Sequence, residues 1–274
     1  MSLFPEPPEP EPFSARTGTP QAGDSLPHGS VQALRDAART LLPAAAYQQF
    51  RSWWRRPRPV RWGNLRRLTP VSGVWGRDRG PVIDRYYIET FLDRCSDDIR
   101  GEVLEVAEDS YTRRFGGARV SGAHVLHAVH GNPQATIVGD LATGVNIPVA
   151  AYDCIILTQV LQMIYDVPQA IRTSYAALRP GGVLLVTLPG ISQVSRYDME
   201  RWGDYWRFTT LSAARLFQDC LPGADIAVRA YGNVLTAAAF LYGLSVSDLQ
   251  PEELTHHDPD YELLISVRVA RPLN

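Results

Sequence analysis

The chain has 274 residues, 45% of them hydrophobic, and a formal net charge of −2, which allows one sizeable core and gives no overall attraction to nucleic acid or acidic membranes. All 27 basic residues are arginine, so enzymes that need a lysine, such as pyridoxal enzymes, lysine aldolases and the usual nucleoside triphosphatases, are excluded. The three cysteines have no paired spacing and predict neither a disulfide framework nor a zinc site.

The first 30 residues interleave proline with glutamate and predict a disordered tail. Residues 31–82 predict a helical extension, and within it residues 51–67 combine arginines with tryptophans. That segment is typical of a solvated helix whose tryptophans dock on the domain, or of a site for an acidic, lipid-linked or phosphorylated substrate. Nucleic acid is its least favoured partner, and we expect none. No apolar run reaches the roughly 18 residues of a membrane span, and there is no signal-peptide core, so we expect a cytoplasmic protein.

Residues 83–274 predict an α/β catalytic domain. The apolar runs at residues 154–157 and 183–188 lack polar alternation, as expected for strands buried on both faces of a parallel sheet. Further strands are predicted at residues 102–106, 119–125, 136–139, 224–231 and 262–269, of which the last alternates enough to predict a sheet edge. Residues 233–250 predict an inserted helix, which we interpret as a lid or as the surface of a homo-oligomer.

Two motifs carry a resemblance to a known family. Tyr152-Asp153 opens a buried strand, and Leu178-Arg179-Pro180-Gly181-Gly182 links the following helix to the next strand. This arrangement, over roughly residues 83–271, resembles the class I methyltransferases that use S-adenosylmethionine. The resemblance implies a doubly wound, Rossmann-like, mostly parallel seven-stranded sheet with an antiparallel last strand, and S-adenosylmethionine as the cofactor.

The resemblance also implies a set of cofactor-binding residues. After the first strand, Glu105 keeps the family's acidic position, while Ala107, Asp109 and Tyr111 stand where the family has three glycines. The end of strand two, where the family has an acid for the ribose, falls on His124. The remaining positions are Asp140 and Leu141 near the adenine, and Thr158 and Gln159 at the end of strand four.

The acceptor site is predicted in the loop at residues 189–209, which is dense in aromatic and acidic residues. We expect a carboxylate or histidine to act as the base, with Asp198, Asp204 and His127 as the candidates. The predicted substrate-binding residues in this loop and in the segment before the first strand are Arg79, Arg85, Tyr86, Tyr87, Tyr197, Trp206 and Arg207. A purely structural role for the same aromatic and charged side chains stays open.

Two functions follow from these observations. The first is methyl transfer from S-adenosylmethionine to a small molecule, with O-methylation of a sugar or glycosylated metabolite favoured. The second is a methyltransferase-like domain that no longer methylates and instead binds a partner or catalyses another reaction. A dinucleotide oxidoreductase is disfavoured because the first loop lacks Gly-x-Gly-x-x-Gly. No metal is expected, since His256-His257 has no third ligand placed by spacing.

Overall fold

A computed structural model describes Arg39, Pro43 and residues 45–49 and 61–273. The predicted tail and residues 51–60 of the segment rich in arginine and tryptophan lie outside the described residues. The chain divides into two units, Met1–Gly63 and Asn64–Asn274. In the first, residues 45–49 are helical. Within the described ranges, no helix is long and apolar enough to cross a membrane.

The second unit is built on one seven-stranded sheet with the strand order β3-β2-β1-β4-β5-β7-β6. The strands are β1 (Gly101–Val106), β2 (Val120–His127), β3 (Ile137–Val138), β4 (Tyr152–Thr158), β5 (Leu178–Pro189), β6 (Asp225–Tyr231) and β7 (Leu264–Ala270). Neighbours among β1 to β5 pair in parallel, whereas β7 runs antiparallel to both β5 and β6. The predicted doubly wound, Rossmann-like sheet with an antiparallel last strand is therefore confirmed.

Helices cover both faces of this sheet. They are α1 (Ile83–Arg94), α2 (Val167–Ala177), α3 (Arg196–Met199), α4 (Thr210–Cys220), α5 (Val234–Leu241) and α6 (Pro251–Thr255). In β4, Ile155 and Leu157 join the core under α2 and α4, whereas Cys154 and Ile156 join the core under α1 and α5. All four are fully buried, which explains why the strand is apolar without alternation.

Local sequence signals set the ends of these elements. Asp166 caps α2 by accepting a hydrogen bond from the backbone N–H of Gln169, and Thr209 exchanges hydrogen bonds with Ser212 at the start of α4. Gly181 adopts a φ of +79° at the turn that opens β5, a conformation that glycine adopts without steric cost. The starts of α2 and α4 and the turn that opens β5 therefore follow directly from the sequence.

Two predicted boundaries and one predicted edge position were wrong. Strand β2 continues to His127, two residues beyond the predicted end. The predicted edge strand is β7, but it lies between β5 and β6, and the edge is β6. The inserted helix is short, ending at Leu241, and Ala237, Ala239 and Phe240 are buried in the core that it shares with α1. Strand β7 is interior because it pairs with both β5 and β6, which its partial alternation did not indicate.

Candidate active site

Two adjoining cavities open at the edge of the sheet where the parallel strands end, the usual ligand site of open α/β sheets. The first, called the strand-end cavity, has a volume of about 360 Å³ and is lined by residues after β1, β2, β3 and β4 and by the aromatic residues Trp202 and Tyr205. The second, called the loop cavity, has a volume of about 190 Å³ and is lined mainly by the loops after β4 and β5 and by the start of α1. Met163 lines both cavities.

The backbone is strained where the strands reach these cavities. Ala107, directly after β1, has a φ of +72°, and Gln159, directly after β4, has a φ of +56°. This left-handed region is costly for residues with a Cβ atom. Ala107 lines the strand-end cavity and Gln159 lines the loop cavity. Ala107 therefore keeps the backbone conformation of a glycine although its side chain is present.

Glu105 holds the turn that follows β1. Its carboxylate accepts hydrogen bonds from the backbone N–H of Tyr111 at 3.3 Å and from the backbone N–H and the hydroxyl of Thr112, each at 2.8 Å. Burial raises the pKa of Glu105 to about 7, against these hydrogen bonds, which lower it. The buried side chain thus ties the end of β1 to the short π-helix Thr112–Gly116.

The two bulky residues at the other glycine positions point away from both cavities. Asp109 forms an ion pair with Arg113. Tyr111 is buried in the core that contains α1, and its hydroxyl accepts a hydrogen bond from Arg85 Nη1 at 2.6 Å. Neither residue lines the strand-end cavity, so the space beside Ala107 is open.

The longer β2 changes which histidine reaches the site. His124 lies within the strand, where its Nε2 is 2.8 Å from Glu102 Oε2; hydrogen bonds from His124 and Ser121 hold the pKa of Glu102 below its ordinary value. His127 ends the strand, lines the strand-end cavity and meets Trp202 edge-on, with ring centroids 5.4 Å apart. His127 therefore occupies the position that the sequence analysis assigned to His124.

Asp140 and Leu141 also line the strand-end cavity. The Asp140 carboxylate accepts hydrogen bonds from the backbone N–H of Ala142 at 2.8 Å and from the Thr143 hydroxyl at 3.0 Å. Asp140 therefore caps a turn and also lines the cavity. Opposite these residues, Tyr165 contacts Tyr205 edge-on and makes one wall of the cavity aromatic.

Two predicted carboxylates, Asp198 and Asp204, line the loop cavity but differ in their partners. Asp204 has a side chain only 4% exposed, paired with Arg207 at 2.5 Å and bonded to the backbone N–H of Ser195 at 2.8 Å. Burial acts to raise the pKa of Asp204, but the hydrogen bonds from Arg207 and Ser195 keep it below its ordinary value. The Asp198 carboxylate has no hydrogen-bond or ion-pair partner in the described part of the chain.

The Oε1 atom of Gln162 is buried and has no hydrogen-bond partner. Among the described residues it is the one buried side-chain oxygen or nitrogen atom in this state. The Nε2 atom of Gln162 donates to the carbonyl oxygen of Gln159 at 2.8 Å and to Gln159 Oε1 at 3.2 Å. Because both of those atoms are acceptors, the amide orientation is determined and Oε1 must be the unpaired atom. Gln162 lines the loop cavity beside Thr158 and Gln159. A buried acceptor without a donor calls for a ligand that donates a hydrogen bond.

The structure brings some of the predicted substrate-binding residues together and separates others. Arg85 and Arg207 line the loop cavity. Outside it, Arg79 pairs with Asp248, Tyr197 is stacked under Arg201, and Trp206 donates from its ring N–H to the carbonyl of Ile164. Tyr86 and Tyr87 line a third cavity elsewhere. Of the seven predicted residues, two thus line the loop cavity, two line the third cavity, and the other three line none of these cavities.

The sequence analysis did not single out several residues that line the cavities. These are Trp75, Arg77, Gln162 and Met163 in the loop cavity, and Tyr165, Trp202 and Tyr205 in the strand-end cavity. Trp202 and Tyr205 lie in the predicted acceptor loop, where the density of aromatic residues was the available signal. Trp75 and Arg77 precede α1, and only its packing across the strand ends brings them into the site.

The sequence model of a family described as a methyltransferase domain matches residues 76–218, more than half of the chain. This chain belongs to that family. The matched residues include β1 to β5 and most of the lining of both cavities. The protein is therefore a methyltransferase that uses S-adenosylmethionine as its cofactor.

Solved structures similar to this methyltransferase include an S-adenosylmethionine-dependent methyltransferase from Mesorhizobium loti, 16% identical, with 67% of this chain and 98% of that chain covered and a TM-score of 0.46. A possible histamine N-methyltransferase from Thermotoga maritima is 11% identical, with coverages of 69% and 94% and a TM-score of 0.42. A Haemonchus contortus N-methyltransferase in complex with phosphomonomethylethanolamine and S-adenosylhomocysteine is 14% identical, with coverages of 75% and 54% and a TM-score of 0.46. No curated protein matches the methyltransferase.

Proposed function

We propose that this methyltransferase binds S-adenosylmethionine in the strand-end cavity and methylates a hydroxyl oxygen of a sugar or glycosylated small molecule held in the loop cavity. The observation that carries the proposal is the Asp198 carboxylate. It lines the loop cavity without a partner in the described residues, and this cavity adjoins the strand-end cavity at Met163. A carboxylate in this position is suited to accept the proton that a hydroxyl loses when it is methylated.

The strand-end cavity fits the cofactor. Its volume of about 360 Å³ falls within the usual range for small-molecule sites, roughly 300–1,000 Å³. Ala107 keeps a glycine-like backbone, and neither Asp109 nor Tyr111 enters the space. The residues that replace the family's glycines therefore do not fill the cavity. These replacements were the reason to consider a domain that no longer methylates.

His127 is the residue that we assign to the cofactor's ribose. The His127 Nδ1 atom lies 2.7 Å from the carbonyl oxygen of Val129, which places the hydrogen on Nδ1 in the neutral ring. The Nε2 atom then has a free lone pair and can accept one hydrogen bond from a hydroxyl. Leu141, Trp202 and Tyr205 supply apolar and aromatic surface for a purine.

The loop cavity carries the polar groups that a sugar requires. The Gln162 Oε1 atom is a buried acceptor without a donor, so a sugar hydroxyl donating to it would remove an unfavourable state of the protein. Trp75 provides a ring face in the same cavity. The ion pair of Asp204 with Arg207, which also donates to the carbonyl of Gln193 at 2.6 Å, keeps the loop that bears Asp198 in place.

When bound, S-adenosylmethionine would supply an electrophilic methyl group to the acceptor oxygen and would leave as S-adenosylhomocysteine. The chain's own residues would hold the acceptor hydroxyl beside this methyl group and remove the hydroxyl proton. Asp198 takes up this proton at a carboxylate oxygen. Asp204 is not suited to the role, because Arg207 and Ser195 occupy its oxygens.

The test measures S-adenosylhomocysteine formation with monosaccharides, glycosides, phenols and amines as acceptors. We expect turnover with the hydroxylated sugars, and a loss of about 10²- to 10⁴-fold in kcat for Asp198→Asn with calorimetric affinity for S-adenosylhomocysteine unchanged. Asp219→Asn, an exposed carboxylate on α4 outside both cavities, is the matched control. Turnover with amines alone, or full activity in Asp198→Asn, would contradict the proposal.

A further inference from the structure

A third cavity lies apart from the site of methyl transfer. This edge cavity has a volume of about 430 Å³ and is formed by the last half of α1, the end of β6 and the end of α6, with Arg94, Arg229, His256 and His257 in its lining. It shares no lining residue with the strand-end or loop cavities. The proposed function makes no use of it.

The cavity exists because the edge strand is covered on one face only. Val228 of β6 packs on the core beneath α4, whereas Arg229 and Tyr231 alternate to the opposite face. On that face α1 lies over β7, and the side chain of Arg229 is exposed. The end of α6 closes the upper side, where Tyr87 donates its hydroxyl to the carbonyl of Leu254 at 2.9 Å.

The lining carries positive charge without a compensating acid. Arg94 and Arg229 have no side-chain hydrogen-bond or ion-pair partner within residues 61–273, and no carboxylate among those residues lines the cavity. The acid nearest along the strand on the same face is Asp225, which is 3.7 Å from Arg268. Asp93, Glu252 and Glu253 lie on the two enclosing helices but are not part of the lining. Two arginines facing one cavity without an acid between them are suited to bind an anion.

Tyrosine rings form the rest of the wall. Tyr87 and Tyr231 pack with ring centroids 5.7 Å apart, and Tyr86 meets Tyr87 edge-on at 5.3 Å. The hydroxyls of Tyr86 and Tyr231 have no hydrogen-bond partner in the described residues, although Tyr231 is only 8% exposed. The cavity therefore offers ring surface and two free phenol donors beside the arginines, and it has more volume than a free phosphate ion would occupy.

We propose that the edge cavity is a second binding site, specific for a small organic phosphate that carries one ring, such as a mononucleotide or a sugar phosphate. The phosphate lies between Arg94 and Arg229, and His256 and His257 are further donors to it. The ring packs against Tyr86 and Tyr231. Guanidinium groups bind phosphate through paired N–H donors, so each arginine contributes directly to affinity.

The test is calorimetry on the whole chain saturated with S-adenosylhomocysteine, which under the proposed function occupies the strand-end cavity. The probes are uridine 5′-monophosphate and ribose 5-phosphate. Two comparison compounds each lack one part of a probe: uridine has no phosphate, and inorganic phosphate has no ring. We expect saturable binding of at least one of the two probes at millimolar concentration, and weaker binding of uridine and of inorganic phosphate. Arg94→Gln and Arg229→Gln should each weaken binding of that probe about tenfold or more.

Two control variants separate this site from other arginines. Arg215→Gln changes an exposed arginine on α4, and Arg77→Gln changes one in the loop cavity; both should leave probe affinity within about twofold. An unchanged affinity for S-adenosylhomocysteine in every variant shows that the fold is intact. The proposal is overturned if neither probe binds, if inorganic phosphate binds as tightly as the probes, or if Arg77→Gln abolishes binding while Arg94→Gln does not.

Discussion

Glu105 makes the stability of this methyltransferase depend on pH in a direction unusual for a carboxylate. In the folded state burial raises its pKa to about 7 from an ordinary value of 4.5. Between these two values the folded protein keeps a proton that the unfolded chain has released. Its contribution to stability is therefore fully present below about pH 4.5 and is lost as the pH rises through about 7.

The size of the effect follows from the same pair of values. At about 1.36 kcal/mol for each pKa unit, a rise from 4.5 to about 7 corresponds to about 3 kcal/mol of unfolding free energy. Glu105 is only 2% exposed, so solvent screening removes little of this amount. The hydrogen bonds from Tyr111 and Thr112 already act in the opposite direction and are included in the shifted value.

Urea denaturation of the wild type and of Glu105→Gln, repeated from about pH 4.5 to pH 8, measures this contribution. Glutamine does not titrate, so the stability advantage of the wild type should fall by about 3 kcal/mol across the range. Glu102→Gln, on the same strand, is the matched control: because the pKa of Glu102 is lowered from 4.5, this residue titrates below the range, and the wild-type advantage over Glu102→Gln should change little across it. A difference between wild type and Glu105→Gln that stays constant with pH would refute the reasoning.

Three further predictions concern the cavities. His127→Ala should raise the dissociation constant for S-adenosylhomocysteine up to about tenfold by calorimetry, whereas His130→Ala, which changes an exposed residue outside the cavity, should not; equal losses would argue against a specific role. Gln162→Leu should raise KM for the sugar acceptor about tenfold with little change in cofactor affinity, and an unchanged KM would show that Oε1 does not meet the acceptor. Ala107→Gly should stabilise the protein by about 0.5–1 kcal/mol in urea denaturation, since relief of about 1–2 kcal/mol of left-handed strain outweighs the entropic cost of glycine; a clear destabilisation would contradict the strain.

The main features of the fold could be predicted because they depend on local sequence. Local sequence accounts for three features of the structure: the unbroken apolar run of β4, the turn at Gly181 and the cap at Thr209. Strand order and edge position depend instead on which surfaces meet in three dimensions. The placement of β7 inside the sheet was missed for that reason.

The sequence predicted which part of the chain contains the candidate site residues, but it did not predict the contacts that distinguish one residue from another. The density of acidic and aromatic residues near the end of β5 located Asp198 and Asp204 in advance, but only their contacts show that Arg207 occupies one of them and leaves the other unpaired. Likewise, a shift of two residues in the end of β2 moved the histidine at the cavity from His124 to His127.

The amino-acid sequence by itself determined the α/β fold, because buried strands, turns and caps are set by short stretches of chain, and two of its motifs carried the resemblance to the methyltransferases. Only the tertiary structure decided that the bulky residues beside Ala107 leave the strand-end cavity open, that Gln162 Oε1 and the Asp198 carboxylate lack partners among the described residues, and that Arg94 and Arg229, distant in sequence, line one cavity. Those outcomes depend on the directions of side chains across elements far apart in sequence, which no local pattern records.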